Sequence, residues 1–142
     1  MSQPSHTTHT HKSPDQKARI GITMGDINGI GPEVIIKALS DHRIMSLFTP
    51  VVYGSGRVLY FYKKLLNNEE LNYTQVKNKG QFVPRQLNLV NCWEDTIEIV
   101  PGKASAETGM AALMSLQKAC EELKEGVIDA LVTAPIDKHS IH

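Results

Sequence analysis

Three segments of this chain combine chemically useful residue types with a spacing that can present them to a ligand. The first runs Ile22-Thr23-Met24-Gly25-Asp26-Ile27-Asn28-Gly29-Ile30-Gly31-Pro32-Glu33-Val34. Gly25, Gly29 and Gly31 can take positive φ and let a ligand approach the backbone. Asp26 has two readings: a hydrogen bond to a ribose hydroxyl, or a cap on the helix that follows, which the spacing favours. The second segment, Leu131-Val132-Thr133-Ala134-Pro135-Ile136-Asp137-Lys138, offers the Thr133 hydroxyl and the Lys138 charge, both suited to a phosphorylated acid or a cofactor pyrophosphate. The third, Pro101-Gly102-Lys103-Ala104-Ser105-Ala106-Glu107-Thr108-Gly109, places a helix-capping serine before an acidic first turn.

Each segment needs an element to hold it. Ile20, Ile22 and Met24 alternate as a strand does, while Val34, Ile35, Ala38 and Leu39 recur at helical spacing. Pro32 suits the opening of that helix and Glu33 its positive end. The first segment is therefore strand, loop, helix. Its spacing, Gly25-x-x-x-Gly29-x-Gly31, is not the dinucleotide G-x-G-x-x-G, and no Gly-Lys-Ser/Thr follows to cradle phosphate.

Further along, Thr49 to Gly54 reads as a strand. Arg57 to Leu66 reads as a helix whose stripe of Val58, Leu59, Tyr62, Leu65 and Leu66 faces a core. Tyr73 to Val76, Gln86 to Asn91 and Thr96 to Val100 read as short strands separated by polar turns. From Ser105 a long helix, defined by Met110, Leu113, Met114, Cys120 and Leu123, stops before Gly126. Gly109, Ala111 and Ala112 leave it thin on one side, for close packing. Ile128 to Thr133 is continuously apolar, as in a strand covered on both faces. Alternating strands and helices give an α/β class with a mostly parallel sheet. In such a sheet ligands gather at the carboxyl ends of strands, so the Gly25 to Gly31 and Thr133 to Lys138 loops can share one crevice.

Composition narrows the function classes. Fifteen basic against 15 acidic residues leave no electrostatic footprint for nucleic acid or an anionic membrane. No stretch approaches a membrane span or a signal peptide, so a cytoplasmic enzyme is expected. Cys92 and Cys120 match no metal or redox spacing and read as reduced thiols. Residues 1–18 are polar, with His6, His9 and His11 close together. They read as a disordered tail ahead of a domain over 19–142, its histidines a weak transition-metal site or without a specific task.

As strings the three segments are more specific than their spacing. Gly-Asp-x-x-Gly-Ile-Gly-Pro-Glu, the Pro101-Gly102-x-x-Ser105 helix with Gly109 and Ala112, and Thr133-Ala134-Pro135-Ile136-x-Lys138 together resemble the 4-hydroxythreonine-4-phosphate dehydrogenase family of pyridoxal phosphate biosynthesis. The shorter loop string Gly-Asp-Gly-Ile-Gly-Pro-Glu of isocitrate and isopropylmalate dehydrogenases looks like a cousin of the first segment. The motifs span residues 19 to 142 in the right order, although 56 to 100 carries no comparably specific string.

The resemblance implies an isocitrate/isopropylmalate-dehydrogenase-like α/β/α fold and NAD-dependent oxidation, with decarboxylation, of 4-phosphohydroxy-L-threonine. It also implies a divalent metal cation and a homodimer. Carried onto this chain, it implies cofactor contacts at Asp26, Asn28, Gly29 and Gly31, and substrate proximity for Thr133 and Lys138. The family's metal-binding histidines and its Gly-His-Thr segment lie beyond His142. Residues 19 to 142 are thus expected to be the N-terminal portion of a longer dehydrogenase, inactive alone and without a metal ligand. Neither His139 nor His142 falls in a motif, and no catalytic residue is assigned. Other readings are a phospho-threonate or phospho-erythronate dehydrogenase, or a ligand-binding fragment without enzymatic activity.

Overall fold

The computed structural model describes residues 17–134 apart from 69, 95, 96 and 104. Most of the N-terminal segment, with its three histidines, lies outside these residues, and Ala18 already belongs to the first strand. The elements run β1 (Ala18–Thr23), α1 (Gly31–Leu39), α2 (His42–Leu47), β2 (Phe48–Gly54), α3 (Gly56–Leu65), β3 (Tyr73–Gln75), β4 (Leu87–Asn91), α4 (Ala106–Lys124) and β5 (Ala130–Thr133). Five strands form one sheet in the order β3-β4-β2-β1-β5, every pair parallel.

The two-residue period of the strands sorts side chains between two helical layers. Val52, Leu87 and Leu89 join Ile35, Ile36 and Leu39 of α1 and Val58, Leu59 and Tyr62 of α3 in one cluster. Val51, Tyr53 and Val90 point the other way, toward Ala119 of α4 and Ile128. The result is an α/β/α sandwich, and β2 at its centre is buried from Thr49 to Gly54.

Local chemistry explains the boundaries. Ser55 caps α3 by accepting from the N–H groups of Arg57 and Val58. Ser105 and Thr108 form a capping box on α4, and Gly126 follows its end with φ +81°. Ser105→Ala should cost about 1 kcal/mol, measured by urea denaturation.

Three expectations from the sequence need correction. The large apolar residues of α4 face outward: Met110 is 57% exposed, and Leu113, Met114, Cys120 and Leu123 are also exposed. The buried face is the thin one, Thr108, Gly109, Ala111, Ala112, Ser115 and Ala119, because small side chains let the helix lie close on the sheet. Residues 97–100 are irregular rather than a strand. Ile97 and Ile99 pack against the core, but side chains take their backbone groups: Arg57 donates to the Ile97 carbonyl at 2.7 Å and Asn28 Oδ1 accepts from Val100 N–H at 2.9 Å. Finally, the strand expected over Ile128 to Thr133 is shorter, Ala130–Thr133; among the described residues it is an edge of the sheet, with Val132 55% exposed.

Candidate ligand site at the carboxyl edge of the sheet

Sheet order creates a switch point at the carboxyl ends. From β1 the chain moves to β2 on one side; from β4 it returns through α4, on the opposite face, to β5 on the other side of β1. A crevice at such a point lies between the loops that leave the two neighbouring strands. Here these are Met24 to Ile30 after β1 and, after β5, a connection of which Ala134 is the described residue. Ala134 lies against the two ends of the first loop: its N–H donates to the Thr23 carbonyl at 3.2 Å, and a Cβ placed on Gly31 would lie 3.3 Å from the Ala134 Cβ.

The loop after β1 is held from several directions. Asp26, 4% exposed, accepts from Asn28 N–H at 3.0 Å, and its carbonyl accepts from Gly29 N–H at 3.0 Å. Its carboxylate thus builds the turn before α1. The N-cap of α1 is Ile30, which offers no side-chain acceptor to the first turn. Buried Asn28 staples the loop to residues 100–103: its amide donates to the Lys103 carbonyl at 2.8 Å and accepts from Val100 N–H, and its own carbonyl accepts from Gly102 N–H at 2.6 Å. Tyr62 of α3 donates to the Ile27 carbonyl at 2.5 Å. Burial, then the nearby carboxylates of Asp26 and Glu33, push its phenol up to about 12, so it stays a donor throughout the neutral range.

The three glycines have different reasons to be glycine. Gly25 alone of them has positive φ, +71°. At Gly31 a Cβ would strike the Met24 carbonyl oxygen, so close packing of helix start on strand end requires the glycine. At Gly29 a Cβ would meet nothing closer than the Asp26 Cβ at 3.4 Å, an ordinary contact. Positive φ is therefore not the constraint at Gly29 or Gly31.

Thr133 sits in register with Thr23 at the carboxyl end of β5 and is exposed. Lys138 lies outside the described residues. Thr23, not singled out from the sequence, is 1% exposed, and its hydroxyl has no hydrogen-bond partner among the described residues. A hydroxyl closing the run Ile20-Gly21-Ile22 was the available signal. Tyr62 was legible only as a core residue, because its hydrogen bond depends on how α3 crosses the loop. The described rim carries the carboxylates of Asp26 and Glu33, the latter paired with Lys37 at 3.0 Å. No group of three His, Cys, Asp or Glu side chains among the described residues could hold a metal ion, and no described helix is long and apolar enough to cross a membrane.

Comparison with known proteins places these features in context. The family model described as pyridoxal phosphate biosynthetic protein PdxA matches residues 46–142. The chain is 44% identical over 127 residues to 4-hydroxythreonine-4-phosphate dehydrogenase from Bacteroides thetaiotaomicron, covering 89% of this chain and 35% of that one. It is 34% identical over 129 residues to D-threonate 4-phosphate dehydrogenase from Cupriavidus necator, covering 87% and 37%. The crystal structure of a 4-hydroxythreonine-4-phosphate dehydrogenase from Burkholderia phymatum superposes with a TM-score of 0.78 at 28% identity, over 89% of this chain and 38% of that one. The chain thus spans little more than a third of the length of these relatives.

Proposed function

Since the chain belongs to the PdxA family of pyridoxal phosphate biosynthetic proteins, we propose that it supplies one wall of the cleft of an NAD-dependent dehydrogenase acting on a phosphorylated hydroxy acid. 4-Phosphohydroxy-L-threonine is the substrate of this reading, supported by the 44% identity to an enzyme named for it. D-Threonate 4-phosphate is the second, supported by the 34% identical relative. The observation that carries the proposal is the junction of the β1 and β5 exits at the switch point of the sheet.

A bound nicotinamide would supply the hydride acceptor for the substrate's secondary alcohol. The chain's own residues bind and orient. Gly29 keeps the backbone open for close approach, Gly31 lets the start of α1 lie against the end of β1 so that the loop is presented to the cofactor, and Asp26 and Asn28 are its polar residues beside the ribose. Asn28 and Tyr62 hold the loop that does this at fixed height. Thr133 and Lys138 meet the phosphorylated end of the substrate. The divalent cation and homodimer of the family, and a cytoplasmic location, belong to the same reading. The described residues do not assemble a cation site.

The fold tolerates a methyl group at Gly29, so this position isolates the ligand's demand from the protein's. In the full-length protein Gly29→Ala should change stability by less than about 0.5 kcal/mol. It should lower kcat/KM with NAD by tenfold or more, since misplacement of a bound group by about 1 Å can cost up to about a hundredfold. A kcat/KM within twofold of the parent would remove the loop from the cleft. Parallel assays with the two phosphorylated substrates separate the two readings.

A further inference from the structure

The amino edge of the sheet, opposite the loops above, carries a cavity of about 880 Å³ bounded by the ends of α1 and α3, the start of α2 and the residues leading into β3 and β4. Its apolar lining is the half-buried Met45 and Leu66, backed by the buried Leu39, Leu71 and Leu87. Its rim is polar, with His42, Asn67, Glu70 and Arg85.

The backbone singles out this rim. Among the described residues the non-glycine positions with left-handed φ are Asn67, +52°, and Arg85, +61°, and both line the cavity. Asn67 is explained by the end of α3, where its N–H donates to the Lys64 carbonyl and that of Asn68 to the Lys63 carbonyl, an ending that asparagine tolerates. Arg85 has no such explanation. It follows Pro84 in a turn where glycine or asparagine would serve with less strain. Its guanidinium, moreover, has no hydrogen-bond or ion-pair partner among the described residues. A forked cation held in a costly backbone position beside an apolar floor, its donors unpaired among the described residues, matches what recognition of an anion with an apolar body requires. Glu70 on the same rim repels polyanions and favours a ligand with a single anionic group.

We propose that this cavity binds a small organic molecule bearing one anionic group, a carboxylate or a phosphate ester, with Arg85 holding that group and Met45 and Leu66 its apolar body. The site is independent of the cleft at the carboxyl edge. Isothermal titration of the full chain with phenylacetate, phenyl phosphate and inorganic phosphate tests it, and the tighter of the two organic probes identifies the anionic group. At least one of them should bind with Kd below about 1 mM, and inorganic phosphate at least tenfold more weakly. Arg85→Gly should weaken organic binding tenfold or more while leaving Tm equal to or above the parent's, because glycine removes the left-handed strain along with the charge. Arg85→Asn, which also tolerates that backbone, should behave in the same way. The proposal is overturned if neither organic probe binds below 10 mM (about 2.7 kcal/mol), if either binds both variants as tightly as the parent, or if inorganic phosphate binds as tightly as the organic probes.

Discussion

Gly31→Ala should cost about 3 kcal/mol of stability, at the upper end for overpacking, and lower Tm by roughly 10 °C. The added Cβ lands on the Met24 carbonyl oxygen, 3.2 Å from the Met24 carbonyl carbon and 3.3 Å from the Ala134 Cβ. None of these is the free end of a flexible side chain. Met24 is pinned by its N–H to the Tyr53 carbonyl at 3.1 Å, and its fully buried side chain lies against Gly54. Accommodating the methyl therefore means lifting α1 from the end of β1 or moving the β5 exit. The better helix propensity of alanine offsets at most about 1 kcal/mol. Thermal and urea denaturation of Gly31→Ala beside Gly29→Ala separates the steric demand from any general effect of losing a glycine. Equal Tm shifts in the two variants would refute it.

That contrast also marks how far the sequence could be read. The strand, loop and helix around Gly25 to Pro32 were legible because turn residues, helix-start chemistry and hydrophobic period agree there. The same holds for α4, announced by Ser105 and ended at Gly126. What each glycine does was not legible: positive φ and close packing draw on the same residue type, and only the position of the Met24 carbonyl tells them apart at Gly31. The inverted burial of α4 has a related cause. Period identifies a helix and its faces, but which face meets the sheet depends on how close the helix lies, and Ala111, Ala112 and Ser115 won over Met110, Leu113 and Met114. Residues 97–100 alternate as a strand would, yet the side chains of Arg57 and Asn28, distant in sequence, took the backbone groups a neighbouring strand would have used. The six-residue α2 was missed because it buries no residue; Asp41, accepting from Arg43 N–H at its start, was the only local sign. At the candidate site the loops were legible and their bracing was not, since Tyr62 and the Asn28 staple are contacts across 35 and 75 positions of chain.

The α4 face contains a buried polar pair whose disruption should be as damaging as the Gly31 substitution. Glu122, 2% exposed, accepts from the hydroxyl of fully buried Tyr53 at 2.7 Å, while Lys118 stands 3.6 Å from its other oxygen. Tyr53→Phe removes the short hydrogen bond and leaves a carboxylate under the sheet with one distant, half-exposed partner. The expected loss is about 3 kcal/mol at neutral pH, since unpairing a buried charge costs more than a hydrogen bond returns when made. Tyr53→Phe with Glu122→Met should recover most of that loss, because an apolar pair of similar volume has no charge to desolvate. The double-mutant cycle reads the coupling directly.

The pH dependence gives a second readout. Burial first, then the hydrogen bond and charge of Glu122, hold the Tyr53 phenol well above its ordinary value. Above about pH 10 the unfolded chain therefore releases a proton that the folded chain keeps, and stability falls as pH rises. Cys92, pushed up to about 12 chiefly by burial, adds to this decline from about pH 9, and Tyr62 adds to it above 10. With Tyr53 replaced by Phe the alkaline decline should be shallower by up to about 1.4 kcal/mol per pH unit, one proton's worth. A variant that loses less than 1 kcal/mol at neutral pH (about 0.5–1.5 kcal/mol being the net worth of an ordinary hydrogen bond) and keeps the parent's alkaline slope would show that the pair does not anchor α4 to the sheet.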